Sequence, residues 1–170
     1  MHEQSIRLSS GELTYLQAGS GRPLLYLHPA GAVRRSKVLE GLAQSFALYV
    51  PVFPGFEGTP FHQGLDTRQA LARLVAEFHG HVVRRPCDVM GWSFGGCVAL
   101  WLALERPALV ERLVLECPAG LISIDRRIKR VNRALLEHYG AHDGKDEALL
   151  PRVGEIGHAT LILQGCDDGT

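Results

Sequence analysis

Apolar residues recur along this chain in two rhythms. Short continuous or alternating runs fall at residues 6–8, 13–16, 24–27, 46–50, 87–90, 113–116 and 160–164. Each is of strand length and is bounded by glycine, proline or polar turn residues. The first two are joined through Ser9-Ser10-Gly11, which predicts an N-terminal hairpin. Leu24-Leu25-Tyr26-Leu27 is unbroken, as for a strand covered on both faces. Between the runs, Leu71, Leu74, Val75, Phe78 and Val82 recur at helical spacing and predict an amphipathic helix over 66–83. Ser36 is placed to cap a helix running to about Ser45. Residues 95–105 are apolar nearly all round, which predicts a buried, central helix.

Strands alternating with helices predict the α/β class: a mostly parallel, doubly wound sheet with helices on both faces. The interval 118–159 breaks that rhythm. It holds Ile124, Ile128, Val131, Leu135, Leu136 and Tyr139 at helical spacing, then a polar, glycine-bearing stretch over 140–145. The pattern reads as a small lid inserted over the strand ends. The expected organisation is therefore a core over 1–118, a lid over 119–158, and the start of a further part of the core over 159–170.

Composition narrows the class. With 170 residues, 46% hydrophobic and 21% charged, the chain is long enough for one well-buried core. Eighteen basic residues balance eighteen acidic ones, so no electrostatic footprint for nucleic acid or an anionic membrane is expected. The cysteines at 87, 97, 117 and 166 show no metal or disulfide spacing, and no metal or cofactor is implied. The N-terminus is too polar for a signal peptide and no apolar run approaches membrane-spanning length. A cytoplasmic address is the expectation.

The chemistry concentrates at Gly91-Trp92-Ser93-Phe94-Gly95-Gly96, between the apolar run Cys87-Asp88-Val89-Met90 and the predicted buried helix. A strand, then G-x-S-x-G, then a helix presents a nucleophilic serine at the mouth of a parallel sheet. The serine sits at positive φ in so tight a turn that neighbours carrying a Cβ would make strand and helix collide. Four further landmarks occur in order. They are His28-Pro29-Ala30-Gly31, Pro54-Gly55-Phe56-Glu57-Gly58-Thr59, the stretch 113–121, and Leu161-Ile162-Leu163-Gln164-Gly165-Cys166-Asp167-Asp168.

Together these landmarks resemble the α/β-hydrolase superfamily of the serine-nucleophile type, along the whole chain. The resemblance implies Ser93 as nucleophile, the N–H groups of Ala30 and Phe94 as oxyanion hole, and Asp168 as triad acid. Asp167 and Glu116 are rivals for the acid, Glu116 the stronger. His28 and Trp92 are candidates for the substrate pocket. Pro29 departs from the family's usual glycine and has no N–H to donate. A small ester-like molecule is the implied substrate, through acyl or related carbon–carbon chemistry. A serine rather than an aspartate at the nucleophile position argues against a dehalogenase or an epoxide hydrolase.

The family orders its triad Ser, Asp, His, and nothing follows Thr170. The expectation is a chain lacking its last strand, histidine loop and closing helix, feeble alone and prone to self-associate through its last strand. The alternatives are a non-catalytic binding or interaction protein on the same fold, or complementation by a second chain. No resident histidine reads as a convincing base. His28 belongs to the oxyanion loop, His79 and His81 do not share a helical face, His138 and His142 lie in the lid, and His62 and His158 are loop residues. Arg126, Arg127, Lys129, Arg130 and Arg133 read as a solvated face of the lid helix, and Arg34 and Arg35 as loop residues.

Overall fold

A computed structural model describes residues 1–31, 33, 36–121, 137–140 and 145–164 of the chain. Among the described residues seven strands form a single sheet: β1 (His2–Leu8), β2 (Gly11–Ala18), β3 (Arg22–Leu27), β4 (Phe46–Pro51), β5 (Cys87–Trp92), β6 (Val110–Glu116) and β7 (Ala159–Leu163). Their spatial order is β1-β2-β4-β3-β5-β6-β7. The N-terminal hairpin adds antiparallel, β1 on β2 and β2 on β4, and every pairing from β4 through β3, β5 and β6 to β7 is parallel. Three helices connect them: α1 (Lys37–Ala43), α2 (Arg68–Val82) and α3 (Phe94–Glu105).

Two apolar cores form because alternate strand residues point to opposite faces. Leu25, Leu27, Val89, Leu113 and Leu115 face α2 and α3, joining Leu71, Val75, Phe78 and the whole inner surface of α3. Leu24, Tyr26, Leu48, Val50 and Met90 face the other way, toward Leu39 of α1. The even distribution of apolar residues around α3 follows from its place: every residue from Phe94 to Ala103 is buried.

The helix caps match the sequence. Ser36 accepts from the Leu39 N–H (3.3 Å), and Thr67 accepts from Ala70 N–H (3.0 Å), so α2 begins two residues later than the apolar pattern alone implies. At the opposite end of the sheet, Asp88 receives both Arg22 (2.9 Å) and Arg112 (3.1 Å).

The strand order positions a site. From β3 the chain passes through α1 to β4 on one side, then through α2 across to β5 on the other. The connections leaving the carboxyl ends of β3 and β5 therefore diverge, and in open α/β sheets a crevice for ligands opens at such a switch point. Residues 28–31 and Ser93 stand at those two strand ends. Of the helical pattern expected from Ile124 to Tyr139, residues 124–136 lie outside the described residues, as do residues 165–170.

Candidate active site

Ser93 follows β5 directly and precedes α3, with φ 50° and ψ −112°. A non-glycine residue in this region is strained by about 1–3 kcal/mol and persists only where its surroundings hold it. Here the backbone is held from both sides. Its N–H donates to the Glu116 carbonyl (2.9 Å), and its carbonyl accepts from Gly96 (2.9 Å), Cys97 (3.3 Å) and Ala119 (2.9 Å). The hydroxyl makes no capping bond to α3 and the residue is half-buried.

Each motif glycine clears a specific obstacle. A Cβ on Gly91 would lie 2.5 Å from the Gly95 carbonyl oxygen, so strand and helix would collide as the motif implies. One on Gly95 would lie 2.1 Å from the Leu27 oxygen and 2.7 Å from that of His28. The elbow is thus pressed against the start of the 28–31 loop. One on Gly96 would meet Pro118 Cα at 2.9 Å, in the turn that leaves β6. The third glycine lets α3 start beneath the turn that follows β6.

Ala30 is buried, and Phe94 is the first residue of α3. A first-turn N–H has no acceptor within its helix and is available to another partner. The loop opposite is stiffened from within by His28. Its ring is 0% exposed, the Phe53 N–H donates to Nε2 (3.0 Å), and Nδ1 donates to the Pro29 carbonyl (2.8 Å). That pattern requires the neutral, Nδ1-protonated tautomer. Burial lowers its pKa to about 4, against a smaller opposing effect of the Pro29 hydrogen bond. His28 was expected to line the pocket. It is instead sealed beneath the loop against Phe53 and Phe56 (ring centroids 4.3 and 5.0 Å), because both nitrogens find backbone partners there.

Trp92 ends β5 beside Glu116 and is 40% exposed. Glu116 ends β6, half-buried, with its charge near Tyr26. Burial first, and that charge second, push the Tyr26 phenol up to about 12. Asp168 and Asp167 lie outside the described residues. The other described histidines that the sequence offered have other partners. His138 Nε2 contacts the Leu65 carbonyl (2.9 Å), His158 Nε2 the Pro107 carbonyl (3.1 Å), and buried His62 bridges Ser10 Oγ (2.9 Å) and the Glu12 carbonyl (3.0 Å). His79 is buried and His81 exposed, so the two meet different surroundings. Among the described residues no group of three or more metal-ligating side chains converges. His142, Arg34, Arg35 and the basic residues 126–133 lie outside the described residues.

A family model described as "Alpha/beta hydrolase family" matches residues 24–162. The chain belongs to the alpha/beta hydrolase family. A soluble epoxide hydrolase of Corynebacterium sp. (strain C12) is 29% identical over 150 residues, covering 86% of this chain and 52% of that protein. A pimeloyl-[acyl-carrier protein] methyl ester esterase of Neisseria meningitidis serogroup C is 39% identical over 138 residues, covering 67% of this chain and 52% of the relative. A crystal structure of a hydrolase from Pseudomonas aeruginosa PA01 superposes with a TM-score of 0.63 at 28% identity, over 71% of this chain and 47% of that one. The chain thus spans about half the length of these relatives.

Within this alpha/beta hydrolase the sequence pattern did not show which rings meet beside the elbow. Tyr139, 1% exposed, donates its hydroxyl to the Pro54 carbonyl (2.5 Å) and packs against Phe94 and Phe56 (5.8 and 6.3 Å). His138 lies 4.0 Å from Phe61, which is 48% exposed. These rings form an aromatic wall joining the 53–61 loop, the elbow and residues 138–139. Arg68 and Asp146 are buried behind it. A signal for Arg68 existed: residues 68, 71, 72 and 75 share one helical face, which carries an arginine into the core side.

Proposed function

We propose that Ser93 is the nucleophile of a serine hydrolase acting on a carboxylic ester or a related acyl or carbon–carbon bond. The observation that carries this reading is the backbone of Ser93, held at φ 50° on a strand-to-helix bend that three glycines make possible. In this reading the Oγ adds to the acyl carbon as a histidine base takes its proton. The carbonyl electron pair moves onto oxygen, facing the N–H groups of Ala30 and Phe94. Collapse expels the alcohol with that proton, and water releases the acyl group by the reverse sequence. Each oxyanion donor contributes roughly 3–4 kcal/mol in such sites. Asp168 orients the base, with Glu116 as the rival acid. Serine rather than a carboxylate at position 93 favours acyl transfer, the chemistry named for the methyl ester esterase, over that of the epoxide hydrolase relative. The substrate class is a small ester-like molecule, with Trp92 and Phe61 exposed beside the site.

The described histidines 28, 62, 138 and 158 are engaged elsewhere. The second reading is a fold that binds a small molecule or partner without catalysis. Fluorophosphonate labelling of this chain and of a C-terminally extended form separates the two. Adduct at Ser93 in the extended form, absent in Ser93→Ala, is the expected result. No adduct in either form overturns the nucleophile assignment.

A further inference from the structure

Arg68 and Asp146 form an ion pair within the core, 4% and 8% exposed, with Arg68 Nε 3.2 Å from Asp146 Oδ2. Withdrawing both charges from water costs several kcal/mol per ion, and their attraction compensates only when further hydrogen bonds complete the geometry. Those bonds converge on one segment, although Arg68 Nη1 is buried without a hydrogen-bond partner. Arg68 Nη2 donates to the carbonyls of Lys145 (2.8 Å) and Gly140 (3.3 Å), the described residues on either side of 141–144. Asp146 Oδ2 accepts from Trp101 Nε1 of α3 (2.8 Å) and from Cys97 Sγ (3.6 Å), while Oδ1 accepts from the Leu149 N–H (3.1 Å). The Asp146 N–H donates to the Gly120 carbonyl (2.9 Å), at φ 95°, where a Cβ would stand 2.8 Å from Cys97 Sγ. One guanidinium thus ties the start of α2 to Gly140 and Lys145, and its carboxylate partner ties the stem formed by residues 139–140 and 145–150 to the elbow helix.

Simple core stabilisation would not require this arrangement. Apolar residues of similar volume stabilise a buried site as well or better. What an arginine adds is a rigid edge whose Nε meets the Asp146 carboxylate while Nη2 reaches the two carbonyls. Gly140 follows Tyr139 directly, and Tyr139 is the ring that rests on Phe94, the residue next to Ser93.

We propose that Arg68 is a positioning residue: by clamping Gly140 and Lys145 it sets Tyr139 against the elbow and fixes the aromatic wall beside Ser93. Any consequence for substrate rests on the hydrolase reading; the clamp itself does not.

The test is amide hydrogen exchange on the whole chain, which reads the segment whether or not Ser93 attacks any substrate. In the double variant Arg68→Met/Asp146→Leu, the melting temperature is expected to hold or rise. Exchange at residues 139–140 and 146–150 should rise at least tenfold relative to residues 97–102 of α3. Arg68→Lys, which keeps the charge but loses the fork, should show the same selective loss of protection. Unchanged exchange in the stem of both variants overturns the proposal. So does a rise shared equally by α3, which would mark the pair as a core element only.

Discussion

At the scale of single residues, the site is built from side chains held in states they would not adopt alone. Ser93 is the plainest case. Because its strain lies in the backbone, Ser93→Gly should raise stability by about 1–2 kcal/mol, whereas Ser93→Ala should not. Denaturant melts of the two variants check this, and equal stabilities would remove the strain argument. His28 makes a second case, through pH. Its pKa falls from 6.5 to about 4 on folding, so between those values the unfolded chain binds the extra proton. Stability is fully present above pH 6.5 and is lost as pH falls toward 4, by roughly 3 kcal/mol. Burial lowers the His79 pKa as well and adds in the same direction. Melting temperatures of the parent chain and His28→Gln across that window should show a shallower slope in the variant.

At the scale of elements, the elbow works because β5, α3 and the loop after β3 share a space with no room for a methyl group. Gly95→Ala should destabilise by about 3 kcal/mol or more, since the obstacle is the β3 backbone rather than a movable side chain. Gly31→Ala, with nothing within 4 Å of its Cβ position, is the control and should cost little. Tyr139→Phe removes the bond to the Pro54 carbonyl while leaving the ring packing, at a cost of about 1–2 kcal/mol. Chemical denaturation of these variants ranks the three effects. Much of this level was legible beforehand. The seven strand positions, the Ser36 cap, the amphipathic α2 and the buried α3 followed from apolar periodicity, because helix and strand periods differ sharply. Boundaries moved by up to a few residues, as at Thr67, where a side-chain cap rather than the apolar pattern sets the start.

At the scale of the whole molecule, the two edges of the sheet differ. The β1 edge carries Glu3 and Arg7, the kind of charged decoration that discourages pairing. The β7 edge, Ala159–Leu163, has no charge and is exposed along its full length. Leu161 and Leu163 also line an apolar groove of about 610 Å³ with Leu24, Leu42, Phe46 and Met90. An uncharged edge beside an apolar groove is a template for association. The purified chain should sediment as dimers or larger species in a concentration-dependent way, and Leu161→Lys/Leu163→Lys should shift it toward monomer. A monomer at all concentrations would defeat that expectation. No described helix is long and apolar enough to cross a membrane.

The order of strands and helices, the alpha/beta hydrolase family and the special status of position 93 were written in local patterns: period, turn residues and a glycine triplet. Such features are legible because each depends on residues close together in the chain. The sequence offered His28 both as a structural residue of its turn and as a pocket residue, and its burial against Phe53 needed the tertiary fold. So did finding Arg68 beside Asp146, and Tyr139 beside Phe94. Residues 68 and 146, or 28 and 53, meet only after the sheet forms, and burial of a charge or an imidazole depends on what distant segments place around it. Local pattern identifies the strained serine; only packing shows what holds it and what shapes the space beside it.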